Sequence, residues 1–228
     1  MDGAPDAAST PSQSPGPETP LREPEAEALR ARILVAVASC CAERGYAATT
    51  SDQIARRAGV SRAQFGVLFR DKEDAYLAMC NMLLGELLTA ATSAYSPDKP
   101  LVQWVREAAG AILELLAARP TLAKIAFLDC RTATGRALQL YQSGVRVLVS
   151  LLDQVRNDSL QEVPIPSRAA RGAIGGAEAL LRHEIAAGRA EQLPMIHPQI
   201  VYSCLVPLLG QEEALRQAEI ADRELAGT

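Results

Sequence analysis

From Leu29 onward, apolar residues recur every three or four positions, as in Leu29, Ile33, Val37 and Cys40/Cys41. That spacing follows the 3.6-residue turn of an α-helix and not the two-residue period of a strand. Leu101, Val105, Ala108, Ile112 and Leu115 form one such stripe, and Leu138, Tyr141, Val145, Leu148 and Leu152 another. No stretch alternates apolar and polar residues between turn signals, and no unit repeats with a period of 20–50 residues. The fold class expected is all-α. With 48% of its residues hydrophobic but only 4% aromatic, the chain must build its core from aliphatic side chains.

Punctuation divides the 228 residues into three parts. Residues 1–24 hold six of the 14 prolines among Ser, Thr, Gly and Ala. Such a segment cannot bury enough apolar surface to offset its ordering entropy, so a disordered tail is expected there. Residues 25–71 should form a small head of short helices. Residues 72–228 should form a larger domain of long ones, placed at about 72–95, 99–118, 121–129, 133–158, 166–188 and 197–224 from the stripes and from breaks such as Ser96-Pro97, Arg119-Pro120 and Pro164 to Pro166. The net charge of −4 is unevenly spread. Residues 25–72 carry eight Arg or Lys against five acids, a basic head on an acidic body.

Within that head, Thr50-Ser51-Asp52-Gln53 and Ser61-Arg62-Ala63-Gln64 are both capping-box patterns, in which a hydroxyl and a side-chain amide satisfy orphan backbone groups at a helix start. Between them lies Ala58-Gly59-Val60-Ser61, with Gly59 free to take the positive φ of a tight turn. Two short helices about such a turn make a helix-turn-helix, whose second helix presents its early residues to the major groove. Ile54, Ala55, Ala58, Val60, Phe65 and Phe69 are spaced to form the shared core. Arg62 and Gln64 are then the candidate base readers, since Arg pairs bidentately with guanine and Gln with adenine. Thr50, Arg70 and Lys72 are candidates for phosphate contact, which gives affinity without sequence information.

The order Gly45-Tyr46, Thr49-Thr50, Ile54-Ala55, Ala58-Gly59-Val60-Ser61, Phe65, Phe69, Lys72-Glu73 resembles the tetracycline-repressor-like (TetR) family of transcriptional regulators. The match spans roughly residues 28–77 without gaps. Leu205 to Ala214 and the Arg119-Pro120 break are similar to features of the same family. The resemblance implies a homodimer whose N-terminal heads bind a palindromic operator in double-stranded DNA, and a larger domain that encloses a small-molecule effector, binding of which changes the spacing of the two heads. A repressor is the simplest form of such a regulator. The chain departs from the family in having Gly66 where Tyr is common and Leu68 where His or Tyr is common. A second reading therefore keeps the helical dimer, with a small molecule or protein as its partner, and drops DNA binding by the head.

A pocket between the helices of the larger domain would be lined by Met79, Leu83, Trp104, Ala108, Phe127, Cys130, Leu138 and Tyr141. Few charges fall on those faces, which points to a largely apolar ligand. The expected dimer surface combines small residues that allow close approach, Gly172 and Gly176, with the apolar Leu180, Ile200, Cys204 and Leu208.

No Gly-rich phosphate loop, nucleophile elbow or zinc-protease motif is present, so no catalytic residue is assigned. Cys40, Cys41, Cys80, Cys130 and Cys204 are odd in number and lack CxxC spacing. Free buried thiols are expected, with no disulfide framework, no metal site and no cofactor. No secretory signal or uninterrupted apolar run of membrane-spanning length is read, so the expected location is cytoplasmic, without a membrane partner.

Overall fold

The computed structural model describes residues 22–96, 98–159 and 168–227. The expected tail therefore lies almost wholly outside the described residues, as do Pro97 and the break at Pro164 to Pro166. Every regular element among the described residues is helical.

α1 (Glu23–Ala48) is kinked at Gly45, whose φ of 76° is the positive value that favours glycine. α2 (Ser51–Ala58) opens on Thr50. The Thr50 Oγ1 accepts from the Gln53 backbone N–H at 3.2 Å while Gln53 Oε1 accepts from the Thr50 N–H at 2.9 Å. α2 closes on Gly59 in the left-handed region, φ 65° and ψ 41°. α3 (Arg62–Leu68) opens on the same reciprocal cap, built from Ser61 and Gln64. α4 (Lys72–Ser93) starts where Asp71 Oδ1 accepts from the Asp74 N–H at 2.8 Å.

The body continues with α5 (Leu101–Ala117), α6 (Pro120–Lys124), a π-helical turn over Ile125–Asp129 and α7 (Cys130–Ala133). α8 (Gly135–Ser159) follows, with the Ala137 N–H donating to Thr134 Oγ1. Then come α9 (Ala169–Ala186), a 3-10 helix over Ala190–Ile196, α10 (His197–Leu209) and α11 (Gln211–Ala226). The single last helix expected over 197–224 is thus two. Gly210, at φ 82°, turns the chain between them, so α11 folds back against α10. Arg106 fixes α11 to α5 by donating to Glu224 Oε1 at 3.0 Å and to Gln217 Oε1 at 2.6 Å.

Two apolar cores result. One gathers α1, α2, α3 and the start of α4, and extends into the body through Ile125, Cys130 and Ala137. The other gathers the rest of α4 with α5, α8, α9, α10 and α11. α4 belongs to both. By length and composition it is also a helix apolar enough to cross a membrane, which the absence of an uninterrupted apolar run had not led one to expect. Its apolar side is spent on the two cores: Tyr76 and Met79 are buried in the first, Leu83 and Leu87 in the second.

Candidate functional site

The head presents α3 as its outer helix. Phe65 and Phe69, with ring centroids 5.8 Å apart, anchor its inner side and are almost fully buried. The hydrophobic core of the helix-turn-helix expected from Ile54, Ala55, Ala58, Phe65 and Phe69 is the core observed, with Val60 packed at its edge. Arg32 on α1 ties the motif down from behind, donating through Nη2 to the Ala58 and Gly59 carbonyls at 2.5 and 3.0 Å.

The polar candidates on this surface are already engaged. Arg62 is exposed, with its Nε 3.1 Å from Asp52 Oδ1 and its guanidinium 5.0 Å from the Phe65 ring centroid. The Gln64 amide oxygen accepts from the Ser61 N–H at 2.9 Å, so a bidentate pairing with a base would have to share or release that oxygen. Arg70 lies 3.6 Å from Asp74 Oδ1. Arg57 donates to both Glu43 oxygens at 2.5 and 2.6 Å, and this, with Arg44, holds the Glu43 carboxyl below its ordinary pKa. Such exposed pairs contribute little stability, and phosphates can compete for them.

Lys72 differs from the other cations. Its Nζ donates to the carbonyls of Tyr46, Ala47 and Thr49 at 3.0, 3.2 and 2.8 Å, and lies 4.5 Å from the Tyr46 ring centroid. An ammonium has three donors. All three are directed at the end of α1, and a phosphate contact would have to replace one of them.

In the body, α4, α5, α8, α9 and α10 surround a cavity of about 170 Å³. Leu83, Trp104, Ala108, Phe127, Cys130 and Tyr141 line it. Trp104 donates through Nε1 to the Ala91 carbonyl at 2.9 Å, which satisfies its only polar atom. The π-helical turn supplies Phe127, whose ring meets Tyr141 edge-on at 6.3 Å. One charged side chain reaches the lining: Glu178 of α9. Its Oε1 accepts the Tyr141 hydroxyl and lies 3.1 Å from Arg131 Nη1 and 3.4 Å from Arg182 Nε. Burial and the adjacent carboxylate raise the Tyr141 pKa, so the hydroxyl stays protonated and donates.

Two expected lining residues fall elsewhere. Met79 is buried in the head core, one turn before Leu83. Leu138 is half-buried but off the cavity, because α8 is rotated so that Ala137, Leu140, Tyr141, Gly144 and Val145 face it. Four of the six expected dimer residues are also occupied within the chain. Ile200 and Cys204 line the cavity, Leu208 is buried in the body core, and Gly176 lies where a Cβ would collide with Ser203 Oγ of α10. The reason is that α10 turns this side toward α9 and the cavity, so its apolar residues are used within the chain. Gly172 is exposed and Leu180 half-buried, so both remain on the surface of α9.

Sequence reasoning missed Leu84, Gly144 and Glu178. A signal existed for the last: Glu178 interrupts the apolar stripe Ala170, Ile174, Ala177, Leu181 of α9.

Residues 33–79 match the profile of the bacterial regulatory proteins of the tetR family. That stretch contains the whole helix-turn-helix, its two capping boxes and the Lys72 contact. The head, residues 33–79, is thus similar to the DNA-binding region of the tetR-family regulators. The chain is 27% identical over 129 residues to an uncharacterised HTH-type transcriptional regulator, YhgD, of Bacillus subtilis (strain 168), a match covering 57% of this chain and 68% of that one. The same fold is seen in three solved structures. The fatty acid degradation regulator FadR from Bacillus halodurans has a TM-score of 0.68 and 18% identity, over 81% of this chain and 96% of its own. FadR from Bacillus subtilis, in complex with stearoyl-CoA, has the same score and identity over 79% and 98%. SmeT, repressor of the multidrug efflux pump SmeDEF of Stenotrophomonas maltophilia, has a TM-score of 0.66 and 20% identity over 78% and 88%. The matched profile and YhgD are both those of transcriptional regulators, not of enzymes.

Proposed function

We propose that this protein binds a palindromic operator as a homodimer and is released from it by a small, largely apolar molecule seated in the body cavity, so that it acts as a ligand-responsive repressor. The observation that carries this reading is the course of α4. Lys72 and Tyr76 at its start are held in the head, and Cys80, Leu83, Leu84, Leu87 and Ala91 further along line the cavity. A ligand that favours one position of α4 therefore biases the orientation of the head, by as much as its affinity differs between the two positions. Dimerisation falls to the exposed side of α9, where Gly172 and Leu180 remain available, together with the adjoining surface of α10.

In the cavity, an apolar body packs among Leu, Ile, Val and Ala side chains, and one hydrogen-bonding group meets Tyr141 or Glu178. The stearoyl-CoA of the Bacillus subtilis structure combines a long apolar chain with an anionic end. Among the described residues the one charged side chain at the cavity wall is the Glu178 carboxylate, already paired with Arg131 and Arg182, which favours a neutral ligand.

Trp104, the sole tryptophan, is an internal reporter of occupancy. A panel of neutral apolar compounds is titrated while its fluorescence is followed. A compound that quenches Trp104 saturably is expected to weaken DNA binding, and the DNA to weaken that compound by the same factor, since coupling between two sites is reciprocal. Saturable quenching by several such compounds, none of which alters DNA binding, would contradict the proposal.

A further inference from the structure

The outer surface of α3 carries a feature that the hydrogen-bonding candidates do not account for. Ala63, Gly66 and Val67 stand at positions i, i+3 and i+4, and all three are exposed. Val67 is 66% exposed, one of few large apolar side chains left open to solvent among the described residues. A Cβ at Gly66 would meet nothing within 4 Å, so the space beside Val67 is open outward and no side chain holds the helix axis away from what it approaches. The polar residues flanking this strip are engaged: Arg62 with Asp52, and the Gln64 amide oxygen with the Ser61 N–H. The outer face of the recognition helix thus presents apolar atoms at Ala63, Gly66 and Val67.

We propose that Val67 is a specificity-determining residue that reads the 5-methyl groups of thymine in the major groove, with Ala63 and Gly66 letting the helix come close enough for that contact. In that groove the thymine methyl is the one apolar mark among the base edges, and it distinguishes T·A from the other pairs. The arginines around α3 supply phosphate affinity that is blind to sequence. The inference rests on the reading of the head as a working DNA binder, and it goes further by naming the base and the chemistry recognised.

The test uses the full chain and a duplex selected by it from a random pool. Each thymine of the duplex is replaced singly by deoxyuridine, which pairs identically but lacks the methyl. Binding is measured by fluorescence anisotropy for the wild type and for Val67→Ala, a change at an exposed site that leaves the fold intact. Removing one buried methyl is expected to weaken the wild type about four-fold, and about fifteen-fold when made symmetrically in both half-sites. Val67→Ala is expected to bind the thymine and uracil duplexes alike. Wild-type binding indifferent to uracil at every position, or equal sensitivity in Val67→Ala, would overturn the assignment while leaving DNA binding intact. A folded protein that selects no duplex at all would overturn both.

Discussion

Arg62 Nε lies 3.1 Å from Asp52 Oδ1, so the recognition helix is tied by an ion pair to the helix that braces it. Both side chains are more than half exposed, and the pair does little for stability. Its effect is on charge: Asp52 cancels a cation on the surface proposed to face DNA. Asp52→Asn is expected to tighten DNA binding by about five-fold at low salt, the scale of one unit-charge contact in water, with the gain fading as salt is raised. Anisotropy titrations at two salt concentrations measure it. Weaker binding with relaxed base preference would instead show that Asp52 aims Arg62 at a base.

Lys72 and the end of α1 lead to a prediction of the opposite kind. Its three donors meet three carbonyls, so Lys72→Met removes a charged cap and strands those acceptors. Urea denaturation is expected to show a loss of about 2 kcal/mol, the scale of a hydrogen bond to a charged group. Unchanged stability, with a salt slope of DNA binding reduced by about one, would make Lys72 a phosphate ligand.

Gly144 on α8 faces Leu84 on α4, and a Cβ built there would lie 2.7 Å from Leu84 Cδ1. Both residues line the cavity, so Gly144→Ala should drive the flexible end of Leu84 into the empty space. The expected stability cost is about 1 kcal/mol, the low end for overpacking. Binding of Nile red, followed by Trp104 quenching, is expected to weaken about ten-fold, equivalent to about 1.4 kcal/mol. Unaltered dye binding would place the ligand elsewhere.

Burial pushes the thiols of Cys80, Cys130 and Cys204 up to about 12 and that of Cys41 up to about 11, from an ordinary 9.0. Above pH 9 the unfolded chain loses these protons while the native chain keeps them, so the unfolded state binds fewer protons and native stability falls as pH rises. The stability is fully present below about pH 9 and is lost between 9 and about 11 to 12, each thiol approaching a slope of about 1.4 kcal/mol per pH unit. Urea melts at pH 8 and pH 10 test this, and Cys204→Ala should flatten the difference. At pH 7.5 native protein should resist iodoacetamide at these four positions; rapid labelling of any one would contradict the burial.

Much of the head was legible because its signals are local. Thr50 with Gln53, Ser61 with Gln64, and Gly59 each act over a few residues, and all three took the conformations that their chemistry favours. The body was legible as helices but less so in its contacts. Periodicity gives a stripe, and a rotation of one residue, about 100°, decides whether Leu138 or Ala137 faces the cavity. The fate of Ile200 and Cys204 depended likewise on which side α10 turns to the cavity, which periodicity alone does not give. In the head, Gln64 was chosen as a base reader although its cap partner Ser61 was legible, whereas the Asp52 partner of Arg62 was visible only once the two helices were placed side by side.

The central claim is that this head reads DNA as part of a two-fold dimer. Selection of bound duplexes from a random pool by the purified full-length protein, at moderate salt, tests it most directly. The account predicts enrichment of one palindrome with half-sites about one helical turn apart, or a multiple of it, each containing a thymine at a fixed position. A folded protein that enriches no sequence would contradict it and favour a helical regulator whose head no longer reads DNA.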